Sequence, residues 1–211
     1  LTQRPASDIA AHLGFTLHYV PDLPQTTRSV ADIRNGRLYL SSRLASKGDP
    51  RTAVLQALSS RILGHTEPTD YAEFLRQRVE TNYLTGALLM PAAHVVPALQ
   101  AAKRDRAISI EDLRDTYSVS YETAAHRFTN LATVHLDIPV HFLKVHESGT
   151  ITKAYENDDV NFPADRLGAI EGQMCCRKWT SRVVFDVDDH FNPYHQYTDT
   201  GNGTYWCTAR V

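Results

Sequence analysis

Helix-start signals fill the middle of this chain, and strand-like segments lie on both sides of them. Asp49 and Pro50 form an N-cap and first-turn pair, and Ser109 and Ser120 each precede a run with helical periodicity. A longer helix is predicted over residues 70–90 from the periodicity of its apolar residues, and Pro91 is expected to end it. This order of segments predicts an α+β fold, in which a small antiparallel sheet packs on helices and a β-rich region follows.

The predicted strands fall into two groups. Residues 15–20 are strand-like, and Asn35-Gly36 separates two further apolar runs, a pattern typical of a β-hairpin. Later strands are predicted at residues 140–145, 150–153, 182–186, 195–198 and 204–211, with a turn at 201–203. We therefore place the domain division between residues 139 and 149, which gives domains 1–139 and 140–211.

Residues 57–65 (A-L-S-S-R-I-L-G-H) have the spacing of a metal-chelating helix without its chemistry. Two His at positions i and i+4 can hold Zn²⁺ from one helical face, while an intervening Glu handles the proton of the metal-bound water. Arg61 stands at the first His position and Ile62 at the Glu position, and neither can take that role. From the local sequence alone, L-G-H indicates a helix end with its Gly near the C-cap.

Two helical segments are expected to contribute to the core. The helix over residues 70–90 is predicted to turn one set of side chains inward: Tyr71, Phe74, Leu75, Val79, Tyr83 and Leu84. Residues 110–131 have the cadence of a helix-turn-helix, but the second helix carries Glu122 with little positive charge for phosphates. A core helix pair is therefore preferred to a DNA-reading element.

The composition limits the class of function. The 211 residues include 22 Lys and Arg against 24 Asp and Glu, so strong duplex binding through these residues alone is not expected. No apolar run is long enough to span a bilayer. Because the chain starts at Leu1 without a signal-peptide pattern, we expect a cytoplasmic fragment of a longer protein that lacks an N-terminal part.

The cysteines leave two interpretations open. Cys175, Cys176 and Cys207 are three in number, and a chain with few cysteines and no signal pattern is expected to keep them reduced. Neighbouring side chains on a strand point to opposite faces, so Cys175 and Cys176 would need a sharp turn to meet one metal. Spacing alone favours buried structural thiols, with metal ligation as the alternative.

Several short segments occur in an order that resembles one family of regulators. They are Thr27-Arg28, residues 57–65, 81–83 (T-N-Y), 86–91 (G-A-L-L-M-P), 119–120 (V-S), 126–128 (H-R-F), 176–179 (C-R-K-W) and 203–211 (G-T-Y-W-C-T-A-R-V). Over nearly the whole chain they resemble the C-terminal ligand-sensing region of short-chain acyl-CoA-responsive transcription regulators, the PrpR/RamB type of actinobacteria. In that family a degenerate ImmA/IrrE peptidase-like domain follows an N-terminal helix-turn-helix. Arg177 stands here where the family often has Pro.

The resemblance implies a non-enzymatic effector-binding domain of a transcription regulator, with a propionyl-CoA-like acyl-CoA as effector. It also implies DNA contact through a helix-turn-helix N-terminal to this chain, with no membrane partner, and a homo-oligomer is a further expectation. Acyl-CoA binding needs cations near the phosphates, an aromatic ring near adenine and an apolar slot. The residues expected to supply contacts are Arg28, Tyr83, Arg127, Lys144 and Lys153.

Metal chemistry enters at two places. Family members with this cysteine content resemble iron–sulfur binders, which implies a 4Fe-4S cluster with Trp179 and Trp206 as its shield. The expected ligands are Cys175, Cys176 and Cys207, with His195 or His190 as the fourth. Glu80 matches the third ligand position of active ImmA-like peptidases, and a salt bridge from Arg61 to Glu80 is predicted in place of zinc.

Two alternative functions remain open. One is a zinc metallopeptidase of the ImmA type with displaced ligands. The other is direct DNA binding through residues 109–131.

Overall fold

The computed structural model describes residues 4–24, 27, 29–43, 49–201 and 203–211. It divides into two compact units, Leu1–Phe128 and Thr129–Val211, with the division inside a helix. The predicted α+β class is confirmed. The described elements are α1 (Ala6–His12), β1 (Thr16–Val20), β2 (Ser29–Asp32), β3 (Arg37–Ser41), α2 (Pro50–Ile62), α3 (Tyr71–Leu89), α4 (Ala92–Arg104), α5 (Ile110–Tyr117), α6 (Tyr121–Leu131), a π-helical turn (Ala132–Leu136), β4 (His141–Val145), β5 (Ile151–Glu156), α7 (Thr180–Val183), β6 (Tyr194–Thr200) and β7 (Gly203–Ala209).

Side-chain caps fix three of the helix starts where the sequence predicts them. The Asp49 carboxylate accepts a hydrogen bond from the Arg51 backbone N–H at 2.9 Å, with Pro50 in the first turn. Ser109 Oγ accepts from the backbone N–H of Asp112 at 3.1 Å. Ser120 caps α6 in the same way at 3.1 Å. Each cap satisfies a backbone N–H that has no partner within the helix, so these starts depend on local sequence.

Three helices differ from the sequence-based expectation. α1 and α4 were not predicted, and α4 continues through Pro97. The predicted strand at residues 182–186 is wrong, because the chain there forms α7 and then a turn. The Trp179 carbonyl accepts from the backbone N–H groups of Arg182 at 2.8 Å and of Val183 at 3.0 Å. These turn hydrogen bonds override the β preference of the valines.

The first unit contains a three-stranded sheet in the order β1-β3-β2. β2 and β3 are antiparallel, with Asp32 opposite Arg37, so the predicted hairpin around Asn35-Gly36 is confirmed. β1 pairs parallel with β3, which makes the sheet mixed rather than wholly antiparallel as predicted. The central strand β3 is the most buried, and Leu38 and Leu40 pack into the core of this unit.

Helix α3 buries a different face from the one predicted. Tyr71 is 73% exposed, Val79 67% and Tyr83 54%, and Phe74 and Leu75 are also exposed, so the predicted inward set is wrong for these residues. Thr85 and Leu89 are the buried residues of α3. Polar and small side chains line its contact with α2, where Gln56 Nε2 donates to Asn82 Oδ1 at 3.1 Å. The apolar pattern of α3 therefore does not mark its core face.

Helices α5 and α6 behave as a core pair. Ile110, Leu113, Ala124 and Phe128 are buried, as that interpretation predicts. Arg127 is only 4% exposed, so this cation of α6 is not on a surface that could contact the phosphates of a DNA duplex. Within the described residues no single helix has the length and composition to cross a membrane, and only the joined pair α3 and α4, bent by 73°, passes that test.

The second unit is built on two antiparallel hairpins. β4 pairs with β5, with a register irregularity between Lys144 and Val145. β6 pairs with β7 and sets Gln196 opposite Cys207. The predicted strands at 140–145, 150–153, 195–198 and 204–211 are thereby confirmed. Asn202, in the predicted turn, lies outside the described residues.

Candidate functional sites

The helix that resembles a metal-chelating helix ends before its last ligand position. Gly64 has φ +69° and follows the C-cap residue Leu63. The backbone N–H of His65 donates to the Ser60 carbonyl at 2.8 Å, and that of Gly64 donates to the Arg61 carbonyl at 3.1 Å. These two bonds form a Schellman motif, so the expected helix end at Gly64 is confirmed. His65 therefore does not project from the same helical face as Arg61.

The side chains around this helix end pair with one another. His65 Nε2 lies 2.6 Å from Glu80 Oε2, and Arg76 Nη1 donates to Glu80 Oε1 at 2.8 Å. The hydrogen bond with His65, and then the one with Arg76, lower the pKa of Glu80. Arg61 instead lies over the ring of Phe15, 5.6 Å from its centroid. The predicted Arg61–Glu80 salt bridge is wrong, because His65 and Arg76 take up the carboxylate.

Tyr83 and Arg127, two of the residues expected to bind acyl-CoA, lie together in the first unit. The Arg127 guanidinium carbon is 5.5 Å from the centroid of the Tyr83 ring. Arg127 Nε donates to the Met90 carbonyl at 3.1 Å, while Nη1 is buried and has no hydrogen-bond partner among the described residues. An unpaired buried N–H is costly, so an anion or carbonyl oxygen at Nη1 would be strongly favoured.

The other expected acyl-CoA contacts lie elsewhere in the chain. Arg28 lies outside the described residues. Lys144 and Lys153 belong to the second unit, where they are register partners on β4 and β5. Of the five expected residues, Tyr83 and Arg127 therefore lie in contact, and Lys144 and Lys153 are partners in a different unit.

A groove of about 720 Å³ opens on the first unit beside α1 and β1. Its lining includes Leu17 and Tyr19 as apolar wall and Arg51 as a cation. Arg51 already binds Asp49 at 2.9 Å and donates to the Tyr117 carbonyl at 3.2 Å. The volume suits a small ligand, but the Arg51 guanidinium already makes hydrogen bonds within the protein.

The second unit contains a line of three side chains that no sequence motif indicated. His141 Nδ1, on β4, lies 2.5 Å from the Asp158 carboxylate, which is 1% exposed. His141 Nε2 faces Cys207 on β7, with Sγ at 3.9 Å. Because the carboxylate accepts from Nδ1–H, the tautomer leaves Nε2 free to accept the thiol proton. A thiol, an imidazole and a buried carboxylate thus stand in the order that activates a nucleophile.

The pKa shifts at this line agree with its geometry. Burial opposes the charged imidazole, but hydrogen bonds with Cys207 and Asp158 outweigh it and raise the pKa of His141. Burial likewise opposes the thiolate, but hydrogen bonds with His141 and Thr198 and the charge on His141 lower the pKa of Cys207. Both shifts favour a thiolate–imidazolium pair.

Polar and aromatic groups surround the pair formed by Cys207 and His141. Thr180 faces it from α7, is 4% exposed, and contributes to lowering the pKa of the Cys207 thiol. Phe162 and Tyr205 pack edge-on against the His141 ring at 5.6 and 5.3 Å between centroids. The Tyr205 hydroxyl donates to the Asp158 carbonyl at 2.8 Å, which ties the loop to the hairpin.

The other two cysteines lie in different environments. Cys175 is buried, and its Sγ lies 3.2 Å from Ser181 Oγ. Burial raises the pKa of the Cys175 thiol. Cys176 is exposed, and its carbonyl accepts from the Trp179 backbone N–H at 3.2 Å. The adjacent side chains thus diverge, and only Cys207 faces an imidazole in the described contacts.

The residues expected to complete and shield a cluster do not gather around Cys207. His195 stacks on Trp206 at 5.2 Å, and the β6–β7 register puts this pair on the opposite face from Cys207. His190 is exposed, Trp206 is 58% exposed, and Trp179 packs on Phe162 at 5.6 Å. In the part of the chain that the structure describes, no three His, Cys, Asp or Glu side chains come together to hold a metal. As placed, these residues do not fit a 4Fe-4S cluster.

The chain is similar in sequence to one protein named as a regulator and in structure to another. The protein named "Propionyl-CoA carboxylase regulator" from Cereibacter sphaeroides is 32% identical over 111 residues, which is 52% of this chain and 22% of that protein. The structure named "Mycobacterium tuberculosis transcriptional regulator" superposes with a TM-score of 0.71 at 20% identity, covering 97% of this chain and 62% of the other. No protein family matches the chain in a family scan. The chain therefore shares the fold of a regulator over nearly its full length and spans less than two thirds of either protein.

Proposed function

We propose that this chain is the effector-binding region of a transcription regulator, and that its effector is a short-chain acyl-CoA, with propionyl-CoA as first candidate. The sequence similarity to a propionyl-CoA carboxylase regulator and the shared fold with a transcriptional regulator support this assignment. A regulator of a propionyl-CoA-consuming enzyme gains a direct input if it binds that thioester.

The buried guanidinium of Arg127 is the observation that carries the acyl-CoA part of the proposal. Its Nη1 is buried without a partner, and the half-exposed ring of Tyr83 lies against the guanidinium. An acyl-CoA offers phosphate oxygens and a thioester carbonyl for the free N–H, and an adenine for the ring. A ligand there would satisfy a group that the protein alone leaves unsatisfied.

We propose that binding, rather than bond cleavage at the degenerate helix, is the activity of the first unit. The metallopeptidase alternative needs two ligands on one helical face, but α2 ends at Ile62 and Arg61 occupies the first position. His65 Nε2 and Glu80 already bind each other. The residue chemistry therefore favours a sensor over an ImmA-type peptidase.

Regulation would follow from unequal affinity of the effector for two conformations of the regulator. We propose that a helix-turn-helix in the longer protein contacts DNA. Direct contact through α5 and α6 is disfavoured, because Arg127 is buried and Glu122 lies in the first turn of α6. The cytoplasmic location and a homo-oligomer stay predictions.

The 4Fe-4S cluster also stays a prediction, and no step of this proposal runs through it. It is tested by iron and sulfide analysis and by the visible spectrum of anaerobically purified protein. If the cluster exists, Cys175→Ser, Cys176→Ser and Cys207→Ser should each lower the iron content. Equal iron content in the three variants and the unaltered chain would rule the cluster out.

Thermal unfolding with and without ligand tests the acyl-CoA assignment. A ligand at about 100 times its Kd adds about 2.7 kcal/mol to the free energy of unfolding. For a chain of this size that corresponds to a rise in Tm of roughly 5–10 °C. Propionyl-CoA is expected to raise the Tm in this way, and propionate much less. No shift at millimolar propionyl-CoA would refute the proposed effector.

Two matched pairs of variants test the residue assignments. Arg127→Met removes the charge at similar volume and should abolish the Tm shift without unfolding the chain, since an apolar side chain suits a buried position. Arg114→Met is its control, because Arg114 already binds Asp115 at 2.6 Å. Tyr83→Ala should weaken binding, whereas Tyr71→Ala on the same exposed helix should not. An unchanged Kd in Arg127→Met would refute the role of Arg127.

A further inference from the structure

Arg127 is a buried cation for which the protein supplies no counter-ion. It is 4% exposed, and its Nε donates to the Met90 carbonyl, which is a neutral acceptor. Among the described residues, which include every Asp and Glu of the chain, none forms an ion pair with Arg127. A buried charge is costly unless an opposite charge and hydrogen bonds compensate it. The group that is missing beside Arg127 is therefore an anion.

Gly86 leaves room for a small group beside the Arg127 side chain. A Cβ built at Gly86 would lie 3.8 Å from Arg127 Cδ. Apart from its chain neighbours and the nearby backbone of α3, no other described atom would come within 4 Å of that Cβ. Glycine in the interior of a helix is less favourable than alanine, so a larger residue would stabilise α3 but fill this space. We call the space bordered by Tyr83, Gly86 and Arg127 the acyl slot.

The Tyr83 ring shields the guanidinium and can open the acyl slot. Tyr83 and Gly86 are three residues apart on α3, so they are neighbours on one helical face. The centroid of the ring is 5.5 Å from the Arg127 guanidinium carbon, and Arg127 Nη1 is itself shielded from solvent. Tyr83 is 54% exposed, so its ring can turn toward solvent without displacing the core. Such a turn would admit a ligand to the guanidinium.

We infer that Arg127 pairs with a carboxylate at the acyl end of the effector, which makes the effector class a short acyl-CoA with a carboxylated acyl group. This inference rests on the proposed function, because it takes acyl-CoA as the ligand of the Tyr83–Arg127 pair. The Nε of Arg127 is occupied by the Met90 carbonyl, and Nη1 remains to donate to a carboxylate oxygen. Hydrogen bonds between a guanidinium and a carboxylate are among the strongest in proteins.

The burial of Arg127 favours an acyl carboxylate over the phosphates of CoA as its partner. A phosphate is strongly hydrated and carries the nucleotide with it, so it suits cations nearer the surface. A carboxylate at the end of a short acyl chain is small enough for a space left by one absent side chain. A neutral acyl group offers only its thioester carbonyl at this position and leaves the charge of Arg127 uncompensated.

Two isosteric ligands test the inference on the unaltered chain. Malonyl-CoA ends in a carboxylate where isovaleryl-CoA has an isopropyl group of the same shape. Isothermal titration calorimetry is expected to give malonyl-CoA a Kd lower by about 30-fold or more, the order expected for completing a buried charge pair. Malonyl-CoA is also expected to raise the Tm more than propionyl-CoA at equal concentration. Equal Kd values for malonyl-CoA and isovaleryl-CoA would overturn the inference.

The Arg127→Met variant decides whether the acyl carboxylate or a phosphate meets the guanidinium. If the carboxylate is the partner, the variant should lose more affinity for malonyl-CoA than for isovaleryl-CoA, and the preference for malonyl-CoA should disappear. Both ligands carry the same phosphates. An equal fold-loss for the two ligands would therefore assign Arg127 to a phosphate and overturn the inference.

The Gly86→Leu variant tests the position of the acyl slot. Its side chain should fill the slot and raise the Kd of malonyl-CoA, while the free variant stays folded because leucine favours a helix more than glycine does. Ala72→Leu, at an exposed position of α3, is the matched control and should leave the Kd unchanged. An unchanged Kd in Gly86→Leu would overturn the assigned position.

The outcomes also separate this inference from the proposed function. Equal Tm rises with malonyl-CoA, isovaleryl-CoA and propionyl-CoA would refute the carboxylate pairing and leave the effector assignment standing. No Tm rise with any of the three would refute the effector assignment itself.

Discussion

Restoring the metal motif of α2 should not restore a metal site, and the structure gives the reason. The double substitution Arg61→His with Ile62→Glu recreates the residue types of a zinc-binding helix. His65 would still lie beyond the Schellman motif at Gly64, away from the helical face that carries residue 61. Its Nε2 is also held by Glu80 at 2.6 Å. The two His therefore cannot chelate one ion from successive turns.

The cost of this double substitution follows from the exposure of the two positions. Ile62 is 46% exposed, so its apolar side chain does not belong to the core. Its loss removes about half of the roughly 1.5–3 kcal/mol of a fully buried side chain. A Glu at the helix C-terminus costs about 0.5 kcal/mol, and losing the Arg61–Phe15 contact costs about 0.5–1 kcal/mol. The total expected destabilisation is about 2–3 kcal/mol.

Denaturant unfolding and zinc titration check both parts of this prediction. The free energy of unfolding is expected to fall by the stated amount, with Arg61→His and Ile62→Glu measured singly to separate the terms. Zinc should bind weakly and without a change in stability, and no peptidase activity should appear. One tightly bound zinc per chain would show that α2 can extend through His65, and a loss above 5 kcal/mol would show that Ile62 is buried; both results contradict the structure.

Three further predictions use the same measurement of unfolding. Gly149→Ala should destabilise the second unit by more than Gly172→Ala. Both glycines have positive φ (+97° and +91°), which costs an alanine about 1–2 kcal/mol, but at Gly149 the added Cβ also meets the Arg182 guanidinium. Equal losses of stability in the two variants would refute this contact. Glu80→Gln should lower the free energy of unfolding above pH 4.5, the ordinary pKa of Glu. This loss relative to the unaltered chain should vanish as pH falls through the lowered pKa of folded Glu80. A loss that grows with acidity would refute the pairing of Glu80 with His65 and Arg76. Leu58→Ala, at a position 1% exposed, should cost about 2–5 kcal/mol, whereas Leu63→Ala, at 41% exposure, should cost far less, and equal costs would refute the assigned end of α2.

Features set by neighbouring residues could be predicted from the sequence. The caps at Asp49, Ser109 and Ser120 and the turn at Gly64 act within a few residues of themselves, so the helix ends they define are where the sequence places them. The β4–β5 and β6–β7 hairpins are also local pairings. The α+β class follows from these elements. The family resemblance named Tyr83 and Arg127 separately as candidate ligand contacts, whereas their contact with each other is a tertiary one.

Only the tertiary structure decided features that join distant parts of the chain. The parallel pairing of β1 with β3 and the polar seam between α2 and α3 depend on which surfaces meet, and that choice reversed the expected face of α3. His141, Asp158 and Cys207 have no diagnostic spacing and meet only because a strand, a loop and a second hairpin converge. A hydrogen-bonded site of this kind requires three side chains to lie within a few ångströms of one another. The order of residue types along the chain does not determine those distances, because they depend on how the strands and the loop pack.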